Sequence, residues 1–216
     1  MTKLMKNINY YLEIILTLAM AILVASCSKD EIEYQPQQGE YPSEIGNKWI
    51  YLHYRKSSNL YDTLTVSIIG KTNLDNGWPV KIIVFKYPNS VDTNYLYTSK
   101  DTARIFDTRK SYSSLYGYVF PLKKGNYWTQ FSSYMYTDST IVCSDEHKVQ
   151  VFQNCFYNAF DLHTMAWQFE YEYDCRTCFV PGIGPVEVCY SYLFGDYDYI
   201  KLLKINFRPT RKSKLN

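Results

Sequence analysis

After residue 26 the chain holds only three alanines, Ala103, Ala159 and Ala166. In the same 190 residues, Val, Ile, Thr, Tyr, Phe and Trp number 72, and 21 of these are tyrosines. Alanine is the strongest helix former, whereas β-branched and aromatic side chains suit a pleated surface. A helical bundle is therefore excluded. A disordered chain is excluded as well, because it could not carry so many apolar rings. The length suits one large β domain or two small ones, with enough surface to bury a core.

The first residues read differently. Lys3 and Lys6 form a basic start, and Ile14 to Ala25 is an uncharged, mostly apolar run of 12 residues. Twelve residues fall short of the roughly 20 that a transmembrane helix needs, and match the core of an export signal. The run ends in Leu23-Val24-Ala25-Ser26-Cys27. This segment resembles the lipobox of bacterial lipoproteins. The resemblance implies a signal helix over 1–26, cleavage after Ser26 and lipidation of Cys27. Two or three acyl chains (palmitate among them) would give stable anchoring where one is marginal.

Residues 27–42 read as a tether, with Pro36, Gly39 and Pro42 and no hydrophobic period. A flexible segment of this length spans roughly 20 Å. Ser28-Lys29-Asp30-Glu31 after the cysteine resembles signals that send lipoproteins to the outer face of the outer membrane. The expected location is thus the cell envelope, lipid-anchored on the outer membrane and surface-exposed. Residues 27–207 carry 17 basic and 20 acidic side chains. Such a body offers no basic face for nucleic acid. The basic stretch 208–216 reads as a disordered, solvated tail.

Two segments match at an offset of 79. One runs from Tyr41-Pro42 to Gly46-Asn47-Lys48-Trp49, the other from Phe120-Pro121 to Gly125-Asn126-Tyr127-Trp128. Proline stops a preceding element, Gly-Asn reverses the chain cheaply, and the tryptophan then opens a strand with a large ring to bury. The alternative role for both tryptophans is stacking on sugars. The pattern predicts two related β units, about 43–110 and 120–207, within a β domain spanning 43–207.

Period-two alternation predicts strands over 49–54, 64–69, 80–85, 95–98, 127–131, 140–143, 148–152, 155–162, 168–173, 186–192 and 200–207. Asn76-Gly77 marks a hairpin. Short turns between the runs imply an antiparallel meander, because parallel strands would need crossover helices. The expected fold is all-β: one curved, mainly antiparallel sheet, as a meander, open half-barrel or sandwich. Pro181-Gly182-Ile183-Gly184 reads as a tight turn before a strand. Cys27, the two Gly-Asn-x-Trp segments and this late turn together resemble uncharacterised bacterial lipoproteins of the outer membrane that carry a β-rich domain of unknown function. That resemblance implies a curved antiparallel sheet and no established activity.

Candidate chemistry is sparse. Cys175-Arg176-Thr177-Cys178 has the spacing of a disulfide, a redox pair or half a zinc site. Its strand context lacks the helix of a redox motif, and His53, His147 and His163 are scattered. The expectation is a structural disulfide between Cys175 and Cys178 or unpaired thiols, with no metal and no cofactor. Glu170 with Glu172, and Asp196 with Asp198, could act as paired carboxylates. The wet side of a sheet explains them more simply. No nucleophile elbow is present, so no catalytic residue is named and no enzyme is expected. The remaining lead is aromatic. Tyr112, Tyr116, Tyr118, Tyr190, Tyr192, Tyr197 and Tyr199 flank glycines in two clusters and suit ligand contact. The expected function is a non-catalytic binding or structural role at the envelope. Partners are the membrane through its lipid anchor, and a glycan or an envelope protein. The alternatives are a glycan-binding accessory lipoprotein and a carrier of an apolar ligand in the curved sheet.

Overall fold

A computed structural model describes residues 41–110, 116–132, 136–168, 171–192 and 197–207. The signal, residues 27–40 with Cys27, and the tail lie outside the described residues, whereas Tyr41 at the end of the expected tether is buried in the core. The elements are β1 (Lys48–Arg55), β2 (Leu60–Asn73), β3 (Pro79–Lys86), β4 (Val91–Thr98), β5 (Thr102–Phe106), β6 (Tyr116–Val119) and β7 (Tyr127–Ser132). They continue with β8 (Tyr136–Val142), β9 (His147–Val151), β10 (Asn154–Gln168), β11 (Tyr171–Val180), β12 (Gly184–Tyr192) and β13 (Tyr197–Asn206). Among the described residues there is no helix.

The strands form one sheet in the order β6-β5-β4-β3-β2-β1-β13-β12-β11-β10-β8-β7, with β9 paired to β10 alone. Every pairing is antiparallel. The curved all-β architecture read from the sequence is present, and it curls into a nearly closed barrel. The first and last strands join where β1 pairs with β13, Lys48 opposite Asn206 and Arg55 opposite Asp198. The two edges are β6 and β7, neighbours along the chain.

Side chains cross the seam between those edges. The Gln130 Oε1 of β7 accepts the Gly117 N–H of β6 at 2.8 Å. The Trp128 indole N–H donates to the Gly117 carbonyl at 3.2 Å. Both backbone groups of Gly117 are thus used, as burial requires. A Cβ on Gly117 would come within 2.9 Å of the Ala103 carbonyl oxygen, so glycine alone fits this place without a shift.

The two matched segments adopt the same turn. Gly46 has φ of 97° and Gly125 of 84°. The Gly46 N–H donates to Ile68 O (2.7 Å), and the Ile68 N–H to Asn47 O (3.0 Å). Likewise the Gly125 N–H donates to Val142 O and the Val142 N–H to Asn126 O, both at 2.9 Å. Each turn ties the start of one strand to its hairpin partner. Trp49 follows fully buried, its indole N–H on Ile183 O at 2.7 Å. Both indoles hold carbonyls across the barrel, which is the architectural role for the motif.

Three expectations shift. Strands β5 and β6 had no clear alternation and were not anticipated. The run 168–173 is divided, since Gln168 ends β10, Tyr171 begins β11, and the two pair with each other. Alternation carries no mark of reversal where Gly, Pro, Asn and Asp are absent. The third concerns the two cysteines of the C-x-x-C segment, whose thiols are free. They stand three residues apart on β11, and an odd separation sends side chains to opposite faces. Cys175 points into the barrel and Cys178 away from it, so no bridge can form between them.

Candidate functional site

The barrel interior is built in levels. Trp49, Tyr51 and His53 share the inward face of β1, in that order. At the Trp49 level an aromatic plug fills one end. Phe179 lies 4.6 Å from Tyr118, 5.7 Å from Phe120 and 6.2 Å from Tyr41, measured between ring centroids. Tyr41 also stacks on Tyr118 at 5.8 Å.

At the His53 level the interior is charged. His53 is buried, and its Nδ1 lies 3.0 Å from Asp62 Oδ1. Arg55 bonds the other oxygen of Asp62, and Asp198 Oδ2 sits 3.8 Å from His53 Nε2. The ring of Tyr87 covers His53 with centroids 5.7 Å apart. Buried charges persist only when paired, and here each carboxylate faces a base. The sequence carried a signal for this cluster. His53 follows Trp49 and Tyr51 in the inward phase.

Between plug and charges lies a cavity of about 120 Å³. A barrel of about eight strands has an interior that side chains can just fill. Twelve strands on one path enclose more, and the longest inward side chains available are tyrosines. Tyr41, Tyr51, Tyr116, Tyr118 and Tyr190 all line the space. One wall is apolar, with Leu64, Val66, Phe85, Val188 and Ile200. The other carries polar groups from β7, β8 and β10. Gln130 Nε2 donates to Thr140 Oγ1 at 2.6 Å, and Thr140 and Thr164 share a hydrogen bond of 2.7 Å. Burial pushes the phenols of Tyr41, Tyr51, Tyr116 and Tyr118 well above their ordinary value, so they stay neutral donors. Burial likewise pushes the Cys175 and Cys178 thiols up to about 12. A thiol so rarely ionised is a poor nucleophile, which speaks against redox chemistry at this segment.

The aromatic candidates separate. Tyr116, Tyr118 and Tyr190 meet at the cavity. Tyr199 faces a second, outer groove. Tyr197 is exposed at the rim with Lys56 above its ring at 4.9 Å. Tyr112 lies outside the described residues, as does the side chain of Tyr192. The clustering around glycines predicted loops. Instead Tyr116 and Tyr118 are strand residues pointing inward, because Gly117 between them serves as the seam. Sequence reading missed Tyr41, Tyr51 and the Gln130–Thr140–Thr164 chain.

No family model matches the chain, and no curated protein matches it. Among solved structures the chain is similar to a protein from Bacteroides fragilis described as a candidate exported protein with a YmcC-like fold. The TM-score is 0.50 at 11% identity, covering 79% of this chain and 100% of that one. A protein from Parabacteroides distasonis, described as a candidate lipoprotein, aligns with a TM-score of 0.42 and 11% identity over 80% of this chain and 100% of its own. The first likeness supports the same fold and says nothing of activity.

Among the described residues one trio can offer a metal ion its ligands: His147, Asp161 and Cys178, on the outer side of the sheet. It is remote from the tyrosine-lined cavity by the phase of β11.

Proposed function

We propose that this chain is a lipid-anchored envelope protein whose barrel binds one small amphipathic molecule and does no chemistry on it. The observation that carries the reading is the cavity of about 120 Å³ with an apolar wall on one side and hydroxyl and amide groups on the other. An engineered apolar cavity of ~150 Å³ accommodates benzene. The present space thus suits a single ring or a short branched chain, with one polar substituent toward Gln130 and Thr140. A lipid tail is too long for it. This narrows the carrier reading from apolar ligands in general to ring-sized ones.

The anchoring half rests on the lipobox ending at Cys27 and on the tether after it. The outer membrane and its outer face are the finer part of that reading, supported by Lys29, Asp30 and Glu31. Replacing Cys27 with alanine is expected to release the protein from the membrane fraction. A Cys27→Ala chain that is processed and remains membrane-bound overturns the anchor.

The glycan reading has weaker support. The exposed rings Tyr61 and Tyr197 flank the half-buried Tyr54 in a row, but neighbours tilt by 35° and 54°. A flat sugar platform needs coplanar rings.

The test of the binding reading is a thermal-shift panel of phenols, cresols and benzyl alcohols on the purified barrel. At 100 times its Kd a ligand adds about 2.7 kcal/mol to stability. A raised Tm for ring-sized compounds that fails for longer alkyl phenols supports the cavity. No shift across the panel sinks it.

A further inference from the structure

The outer side of β10 and β11 collects ligand atoms that the barrel interior does not use. Asp161 and Cys178 are direct register partners across these strands. His147 opens β9 and pairs by backbone with Ala159, two residues before Asp161. Its Nε2 lies 3.7 Å from Asp161 Oδ2. Ligand atoms of His147, Asp161 and Cys178 all lie within 4.8 Å of one another. With metal distances of ~2.0–2.3 Å to N, O and S, neighbouring ligands of a tetrahedral zinc stand ~3.3–3.6 Å apart. The trio needs to close by about 1 Å, within the reach of one rotamer adjustment.

Orientation around the trio is already set. His147 Nδ1 lies 3.2 Å from the Asp145 carbonyl and 3.3 Å from Ser144 Oγ, so the tautomer protonated at Nδ1 has an acceptor and leaves Nε2 free for a metal beside Asp161. That is the arrangement by which a backbone carbonyl fixes the tautomer of a metal-binding histidine. Asp161 is held at both backbone groups. Its N–H donates to Ser144 Oγ at 2.8 Å, and its carbonyl accepts the Cys143 N–H at 2.7 Å. Cys178 is buried while His147 and Asp161 are partly open to solvent, which leaves a path of entry.

We propose that His147, Asp161 and Cys178 form a zinc site on the outer wall of the barrel, with the fourth position open to the groove. The donor set is one imidazole, one carboxylate and one thiolate, which suits Zn²⁺ better than the hard cations that take oxygen alone. The Cys178 thiol donates its proton in a hydrogen bond to the Asp161 carboxylate. On binding, that proton leaves to solvent and the thiolate takes the metal. The site is independent of the ligand reading, because Cys175, which lines the cavity, has no part in it.

The experiment titrates the folded, reduced protein with Co²⁺ and then displaces it with Zn²⁺. One Co²⁺ per chain with tetrahedral absorption and a thiolate-to-cobalt charge-transfer band is expected. Cys178→Ser should remove the charge-transfer band and weaken Zn²⁺ by at least about tenfold, the loss that even a supporting partner of a ligand produces. Cys155→Ser is the control and should keep the band. Near-UV circular dichroism of each variant checks folding. If Cys178→Ser fails to fold, His147→Ala and Asp161→Asn test the site instead, and each should keep the thiolate band but bind more weakly. Binding without the band, or an unchanged band and affinity in these variants, overturns the site.

Discussion

The Gln130 side chain takes the Gly117 N–H at 2.8 Å, across the seam between β6 and β7, the two ends of the strand order among the described residues. The Nε2 of the same Gln130 side chain donates to Thr140 Oγ1 on the cavity wall. One residue therefore closes the seam and orders the polar side of the cavity. Replacing Gln130 with alanine strands a buried N–H and frees Thr140. An unsatisfied buried donor costs about 1–3 kcal/mol. Urea unfolding should show a loss of that size at unchanged slope, with faster exchange of the Gly117 amide. A stable variant with a protected Gly117 amide would mean the seam is held elsewhere.

Gly117→Ala tests the same seam sterically. The added methyl would meet the Ala103 carbonyl oxygen at 2.9 Å and the Arg104 Cγ at 3.3 Å. The first neighbour is backbone and cannot swing aside. Overpacking typically costs 1–3 kcal/mol, so Tm should fall. Alanine at Gly77, where nothing lies within 4 Å but φ is 87°, should cost only its backbone strain and spare any ligand response.

The fold class was legible because alternation and composition agree along the chain. The strand over 49–54 that carries Trp49, Tyr51 and His53 was read as such, and Gly46-Asn47 and Gly125-Asn126 announced turns that exist as read. Closure was not legible. Nothing in Tyr116-Gly117-Tyr118 reveals that β6 will meet β7, because that contact joins strands through side chains whose register depends on the whole barrel. The cavity was half legible: Tyr116, Tyr118 and Tyr190 were named, the first two with no strand expected around them. Of the two expectations for Cys175 and Cys178, a disulfide or unpaired thiols, the second matches their free, buried thiols, as three-residue spacing on a strand requires.

Alkaline pH should unfold the barrel. The thiols of Cys175 and Cys178 are raised by burial from 9.0 to about 12, and the buried phenols move the same way from 10.0. Raised acids keep their protons in the folded state after the unfolded chain has lost them. Stability is therefore flat below about pH 8, falls from pH 9 toward 12, and falls faster once the phenols join. Urea midpoints at pH 8, 10 and 11 should decline in steepening steps. A midpoint that holds to pH 11 would mean these groups are exposed to solvent. In the same window Cys175 and Cys178 should resist alkylation at pH 8 in the native state, while the exposed Cys143 reacts first despite its own upward shift.

Val188→Phe probes the cavity from inside. Val188 lines the cavity on β12, beside its register partner Thr177. A phenylalanine there places a tethered ring in the space assigned to a free one. Filling a cavity commonly adds ~0.5–2 kcal/mol, whereas forcing a ring into a packed core costs ~1–3 kcal/mol. The variant should hold or gain stability and lose the Tm response to phenols. The wall of Tyr51, Leu64 and Ile200 would then contact a permanent occupant. A destabilised variant that still responds to phenols would show that the ring and the ligand use different space, and that the bound molecule sits outside the barrel.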